Sequence, residues 1–154
     1  MSSKVYTRGS DSIKDGIIAG LLGTLGDAMI HISAYLILGT SMTAHYISQL
    51  IFPLEEVTAI RFIISFFAHF SAGTIVGVIL SFLFKLTGKD YAYLKGISLG
   101  LVLWLAHVAV IPNIVDPRPY IIRTPLESLV DLTAHIFYGI FATTYLLKTY
   151  LKNF

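Results

Sequence analysis

Four long apolar runs, separated by shorter polar stretches, set the pattern of this 154-residue chain; they cover residues 16–38, 59–84, 96–115 and 127–147. Each comes near or passes the ~20 residues that cross a hydrocarbon core of ~30 Å. The pattern therefore predicts an all-α integral membrane protein, a four-transmembrane-helix bundle forming a single domain over 1–154. Within each run the small and polar residues recur every three or four positions, which is one face of a helix. The first run carries Gly16, Gly20, Gly23, Asp27 and His31, and the second Ser65, His69, Gly73 and Gly77. The third carries Gly96, Gly100 and His107, with Leu103 or Trp104 between, and the fourth Glu127, Asp131, His135 and Gly139. Membrane helices associate by packing and not by the hydrophobic effect, so small residues mark the faces that meet. The glycine stripes are thus expected to face the bundle, and the His and Asp on them should point inward too.

The connections are read from their breakers. Residues 39–58 include T-A-H-Y-I-S-Q-L-I-F-P-L-E-E, too apolar for a plain loop, so a short interfacial helix is expected at 41–52. Pro53 should end it, and Glu55 and Glu56 should open the second long helix. T-G-K-D-Y makes a short link between the second and third helices, which predicts antiparallel neighbours. Pro112, Pro117, Pro119 and Pro125 predict a stiff extended strap before the last helix.

Composition agrees with burial in lipid. The chain is 55% hydrophobic and 13% charged, with a mean hydropathy of +0.75, whereas soluble domains carry about 25% charged residues. A net charge of +2 without a basic cluster excludes a nucleic-acid partner, and the absence of Cys excludes disulfides and thiolate-held metal clusters. Lys4, Arg8 and Lys14 precede the first run, but it is longer than a signal-peptide core and lacks a small-residue cleavage site, so it reads as a retained helix. With alternating helices, Lys4, Arg8, Lys14, Lys85, Lys89, Lys95, Lys148 and Lys152 share one side, against Arg61, Arg118 and Arg123 on the other. The positive-inside rule then places both termini in the cytoplasm.

A weak internal repeat accompanies this. K-D-G-I-I-A-G-L-L and L-K-G-I-S-L-G-L-V align Gly16 with Gly96 and Gly20 with Gly100, which sets Asp27 against His107. His69/Gly73 and His135/Gly139 share H-x-x-x-G. Two parallel helix-hairpin repeats would be related by an axis along the membrane normal.

Counting residues from the flanking lysines at ~1.5 Å each places Asp27, His107 and His135 at one depth, and His31, His69 and Asp131 one turn further out. Glu127 lies above both layers, as an expected outer entrance. A carboxylate near the bilayer centre costs roughly 2.5–3.5 kcal/mol. Interhelical polar bonds return only ~0.6 kcal/mol on average, so a purely structural role is a poor explanation for six such groups. His45, in the outer connection, is expected to be solvated, and Trp104 to fill the core.

Three chemistries suit the cluster. Asp27/His31 and Asp131/His135 are D-x-x-x-H pairs, and with His69 and His107 they offer six ligands for zinc, iron, manganese or copper. His69, His107 and His135 are the first-choice ligands, with Asp27, His31 and Asp131 completing the set. The same residues suit a metal-free relay for protons, ions or a small solute, in a homo-oligomer or as an accessory subunit of a larger complex. A b-type haem between His69 and His135 is the third. No nucleophile–base, phosphate-loop or nucleotide motif points to an enzyme.

W-L-A-H-V-A-V-I-P-N-I at 104–114 followed by D-L-T-A-H-I-F-Y-G at 131–139 resembles the YagU-like small bacterial inner-membrane proteins. His107, Pro112, Asp131, His135 and Tyr138 match that family's pattern, and His69 has a counterpart in the preceding helix. The match covers the C-terminal two-thirds; Asp131 stands where the family has Glu, and the first helix, with Asp27 and His31, departs from it. The resemblance implies a bacterial inner-membrane protein and a C-terminal His–carboxylate pair, and it implies no substrate.

Overall fold

The computed structural model describes residues 9–52, 56–111, 114 and 124–151. Within them lie α1 (Gly9–Leu38), α2 (Thr43–Ile51), α3 (Ala59–Thr87), α4 (Ala92–Leu105) and α5 (Pro125–Leu151); α4 runs on as a π-helical turn over Ala106–Val110. The described residues contain no strand. Four of the helices are long and apolar enough to cross a membrane, over Ser12–Leu38, Ala59–Thr87, Ala92–Val110 and Pro125–Thr149. Pro53, Glu55, Pro112, Pro117, Pro119, and the basic residues Lys4, Arg8, Arg118, Arg123 and Lys152 lie outside the described residues.

Burial is inverted relative to a water-soluble bundle. Thr24, Asp27, His31, Ser65, Ser81, Asp131, His135 and Thr143 are buried, whereas Leu36, Ile37, Phe67 and Leu129 stand largely exposed. Apolar surface of that extent suits a lipid environment and not water. A core does form at the end of the bundle that carries the α3–α4 turn. There Ala19, Leu80, Phe84, Ala92, Tyr138, Ala142 and Leu146 pack together.

The helices are ordered α3–α1–α5–α4, with α1 packed on both α3 and α5. The expectation that α3 and α4 are neighbours holds only near their turn, where Lys95 Nζ donates to the carbonyls of Thr87 and Gly88. Elsewhere they touch little. A short link fixes the sense and proximity of two helices at one end; the faces that can approach decide the rest. Those faces are the glycine stripes. A Cβ on Gly77 would overlap the Gly16 carbonyl and the Gly20 backbone, and one on Gly139 would overlap the Gly96 carbonyl. The hairpins therefore pair as α1·α3 and α4·α5. Their registers differ: Gly77 sits between Gly16 and Gly20, but it is Gly139, the sequence counterpart of Gly73, that sits on Gly96.

The second long helix starts at Ala59 as expected, but the residues that open the helices differ from the expected ones. Thr58 caps α3, its side chain accepting from the Arg61 N–H, and Glu56 lies before that cap. Pro125 belongs to α5 as its first residue and not to a strap, where its missing N–H costs nothing.

Candidate functional site

The four long helices bring the ionisable residues together at the end of the bundle that α2 covers. Asp27 and His31 come from one face of α1, His69 from α3, His107 from the π-helical turn, and Asp131 and His135 from one face of α5. Asp27, His31, Asp131 and His135 are each 5% exposed or less.

The groups alternate in charge type. His69 Nε2 lies 3.0 Å from Asp27 Oδ2. Asp27 Oδ1 lies 3.9 Å from His135 Nδ1, which is 3.6 Å from Asp131 Oδ1; His31 Nε2 is 3.5 Å from that same oxygen. His135 Nδ1 is also 2.8 Å from the Asp131 backbone carbonyl. A carbonyl can only accept, so Nδ1 donates and, in the neutral ring, Nε2 keeps the lone pair. His107 closes the cluster edge-on, its ring centroid 4.9 Å from that of His135. One ligand atom from each of His107, Asp131 and His135 lies within 4.8 Å of the other two. Donors on a tetrahedral zinc stand ~3.4 Å apart for bonds of ~2.1 Å, a spacing that modest side-chain rotation reaches. His69, Asp27 and His31 stand beside this trio, with His69 committed through Nε2 to Asp27.

Two features position His107. The Ile111 N–H bonds the Ala106 carbonyl, in place of the His107 carbonyl that an α-helix would offer it. The residue that would serve His107 in a π-turn is Pro112, which has no N–H. Both backbone donors are thus lost, and the Tyr46 hydroxyl donates to the His107 carbonyl instead, at 2.6 Å. That bond fastens α2 to α4. Single π-turns recur at functional sites, and here the readable signal is a proline five residues after an intramembrane histidine.

Glu127 does not stand free at an entrance. Its Oε2 accepts from the Thr124 N–H at 2.9 Å, Thr124 Oγ1 accepts from the Glu127 N–H at 3.2 Å, and Oε1 accepts from the Ser41 N–H at 3.1 Å. This is a capping box that also ties the α1–α2 loop to α5. His45 is half-buried: its ring packs edge-on against Phe62 at 5.2 Å, and its buried Nδ1 makes no hydrogen bond among the described residues. Trp104 is half-buried and its Nε1 donates to the Ser128 carbonyl, so it links α4 to α5 as well as filling space. Tyr138 reaches across α1: its ring lies against Gly23 and its hydroxyl donates to the Gly73 carbonyl at 2.6 Å.

No family model, curated protein or solved structure matches the chain.

Proposed function

We propose that this protein binds a transition metal ion inside the membrane, with His107, His135 and Asp131 as its ligands. The observation that carries this is the trio's geometry: two imidazoles and one carboxylate from two helices, mutually within 4.8 Å and turned into the bundle. A two-histidine, one-carboxylate set suits zinc and ferrous iron, and accepts manganese or copper. The Asp131 carbonyl orients His135, as outer-shell partners orient metal-bound histidines. Asp27, His69 and His31 form the next layer, in which Asp27 offers carboxylate charge to both His69 and His135. The resemblance to YagU-like proteins supports weight on the same Asp131/His135 pair.

The lysines Lys14, Lys85, Lys89, Lys95 and Lys148 support an orientation with both termini in the cytoplasm of a bacterial-type inner membrane. Metal analysis of protein purified in detergent, with cobalt added as a spectroscopic stand-in, tests the assignment. One equivalent bound by wild type and lost in His107→Ala and His135→Ala is the expected result. Wild type that carries no native metal and takes up no cobalt would overturn it.

A second reading has its own observation. The series His69–Asp27–His135–Asp131–His31, with gaps of 3.0 to 3.9 Å, is continuous enough to pass a proton or ion from α3 by way of α5 to His31 of α1. Flux through proteoliposomes that survives metal removal but is lost in Asp131→Asn would favour it, with an oligomer or a larger complex supplying the rest of the path. The haem reading loses ground, because the Asp27 carboxylate spans the space between His69 and His135 that an iron and its macrocycle would need.

A further inference from the structure

The trio of His107, Asp131 and His135 leaves one neighbouring imidazole without a role. His31 is 5% exposed, yet neither of its ring nitrogens makes a hydrogen bond among the described residues. Native structures satisfy nearly all such buried groups. What His31 faces is the trio itself. Its Nε2 lies 3.5 Å from Asp131 Oδ1, and His135 Nδ1 lies 3.6 Å from that same oxygen. An imidazole of α1 and one of α5 therefore flank a single carboxylate. Two donors 3.5 Å apart, each ~2.1 Å from one ion, subtend about 113° at it, close to the tetrahedral angle.

His69 is placed differently. Its Nε2 is 3.0 Å from Asp27 Oδ2, a contact that turning toward the trio would break. The His31 ring has no such bond to lose. Charge points the same way. Residues 16–38, 62–84, 96–115 and 128–147 hold two carboxylates, Asp27 and Asp131, and no Lys or Arg. A single dication balances both carboxylates while all the imidazoles stay neutral, and neutral imidazole is the form that ligates. Asp27 then acts from outside the ligand set, with Oδ1 3.9 Å from His135 Nδ1.

We propose that His31 is the fourth protein ligand of one divalent ion, which it encloses together with His107, His135 and Asp131. The proposal rests on the metal centre described under the proposed function and deepens it. Four protein donors on a tetrahedral ion leave no open position for an activated water. The ion is accordingly held or handed on, and is not used to activate water. It also joins α1 to α4 and α5, which the trio alone does not do.

The test uses the full wild-type chain in detergent micelles, labelled with ¹⁵N-histidine and loaded with ¹¹³Cd. Three imidazoles should show coupling to the metal, one of them assigned to His31 by its loss in His31→Gln. In parallel, the cobalt spectrum of wild type should be that of a four-coordinate ion and should not respond to azide. His31→Gln should still take up one equivalent of cobalt, bound at least tenfold more weakly, and its spectrum should shift with azide as the vacated position is filled. Metal coupled to His107 and His135 but not to His31 would overturn this proposal and leave the three-ligand centre standing. So would a wild-type cobalt spectrum that shifts with azide. Uptake of two equivalents would overturn the single enclosed ion, and wild type that takes up neither cadmium nor cobalt would overturn both readings.

Discussion

Replacing Gly77 by Ala adds one methyl group at the α1–α3 crossing and should disturb a pair of residues two helical turns away. The new Cβ would overlap three backbone atoms of α1, the Gly16 carbonyl oxygen and the Gly20 N and Cα. Backbone cannot rotate aside, so the helices must separate by about 1 Å to reach ordinary contact near 3.5 Å. Overpacking of this kind costs ~1–3 kcal/mol, against ~1 kcal/mol gained from the better helix propensity of Ala. Separation acts on the site as well. His69 lies eight residues from Gly77 on α3, and Asp27 seven from Gly20 on α1. Their 3.0 Å contact would stretch toward ~4 Å, beyond the N–H···O range, and part of the ~1.5–3 kcal/mol of a charge-assisted bond is lost. The net expectation is a destabilisation of about 2 kcal/mol.

Reversible unfolding in mixed micelles measures the stability, and the imidazole nitrogen resonances of His69 report the Asp27 bond. Gly73→Ala supplies the contrast. Its Cβ meets first the tip of the Thr24 side chain, whose Cβ lies 3.2 Å away, so Thr24→Ala should restore much of the loss in the double variant. Gly77→Ala has no such rescue. If Gly77→Ala is as stable as wild type and leaves the His69 resonances unmoved, the crossing does not set the geometry of the cluster and the reasoning fails.

Other outcomes follow from single contacts. Thr124→Ala removes the cap of α5 and should cost about 1 kcal/mol in the same unfolding assay, with faster exchange of the Ser41 amide as the Glu127 clamp loosens. Tyr46→Phe removes the hydroxyl that donates to the His107 carbonyl and should cost ~1–3 kcal/mol, with weaker metal retention and an unchanged α1–α3 crossing. The chain has no Cys, so single cysteines placed by Lys89→Cys and Met42→Cys report topology directly; an impermeant thiol reagent on intact cells should reach Met42→Cys alone. His45→Ala should retain full metal content, since that ring packs on Phe62 away from the trio.

How much of this was legible in the sequence depends on the kind of information each feature needs. Spacing of three or four is a property of one helix, and it sufficed to put Asp27, His31, Asp131 and His135 on buried faces. Which imidazole meets which carboxylate is a property of helix order. The T-G-K-D-Y link pointed to an α3–α4 pair, whereas the glycine faces pair α1 with α3 and α4 with α5. Link length restrains only one end of a helix pair, while close approach is decided along its whole length. The role of Glu127 was readable: Thr124-Pro125-Leu126-Glu127 has the form of a capping box with Pro at the first helical position. Membrane depth drew attention to its charge, but its local backbone partners claim it. The π-turn at His107 was legible only in part, since Pro112 forecasts a lost hydrogen bond but not that Tyr46 replaces it.

The bundle divides its tasks along its length, and the division explains why a polar cluster survives in an apolar protein. Near the α3–α4 turn, glycine-on-backbone crossings and the Leu80, Phe84 and Leu146 core leave no room for solvent or ligand. Toward α2 the faces of α1 and α3 diverge around a cavity, and α2 with its Tyr46 bond covers what that divergence exposes. Each Asp is there held by imidazoles, so the charge is shared within the protein and not presented to lipid, which is how ionisable groups persist at membrane depth. A closer approach of α1 and α3 at that end would improve packing but expel His31 and His69 from the space between them. The splayed end therefore carries a stability cost, offset by the tight one, and natural folds accept such costs where a site must be kept open. Filling the cavity with Ala28→Trp or Ala44→Leu should accordingly stabilise the protein or leave it unchanged in mixed micelles. A large destabilisation on filling would show that α2 closes on α1 and α3 there and that the space is not held open.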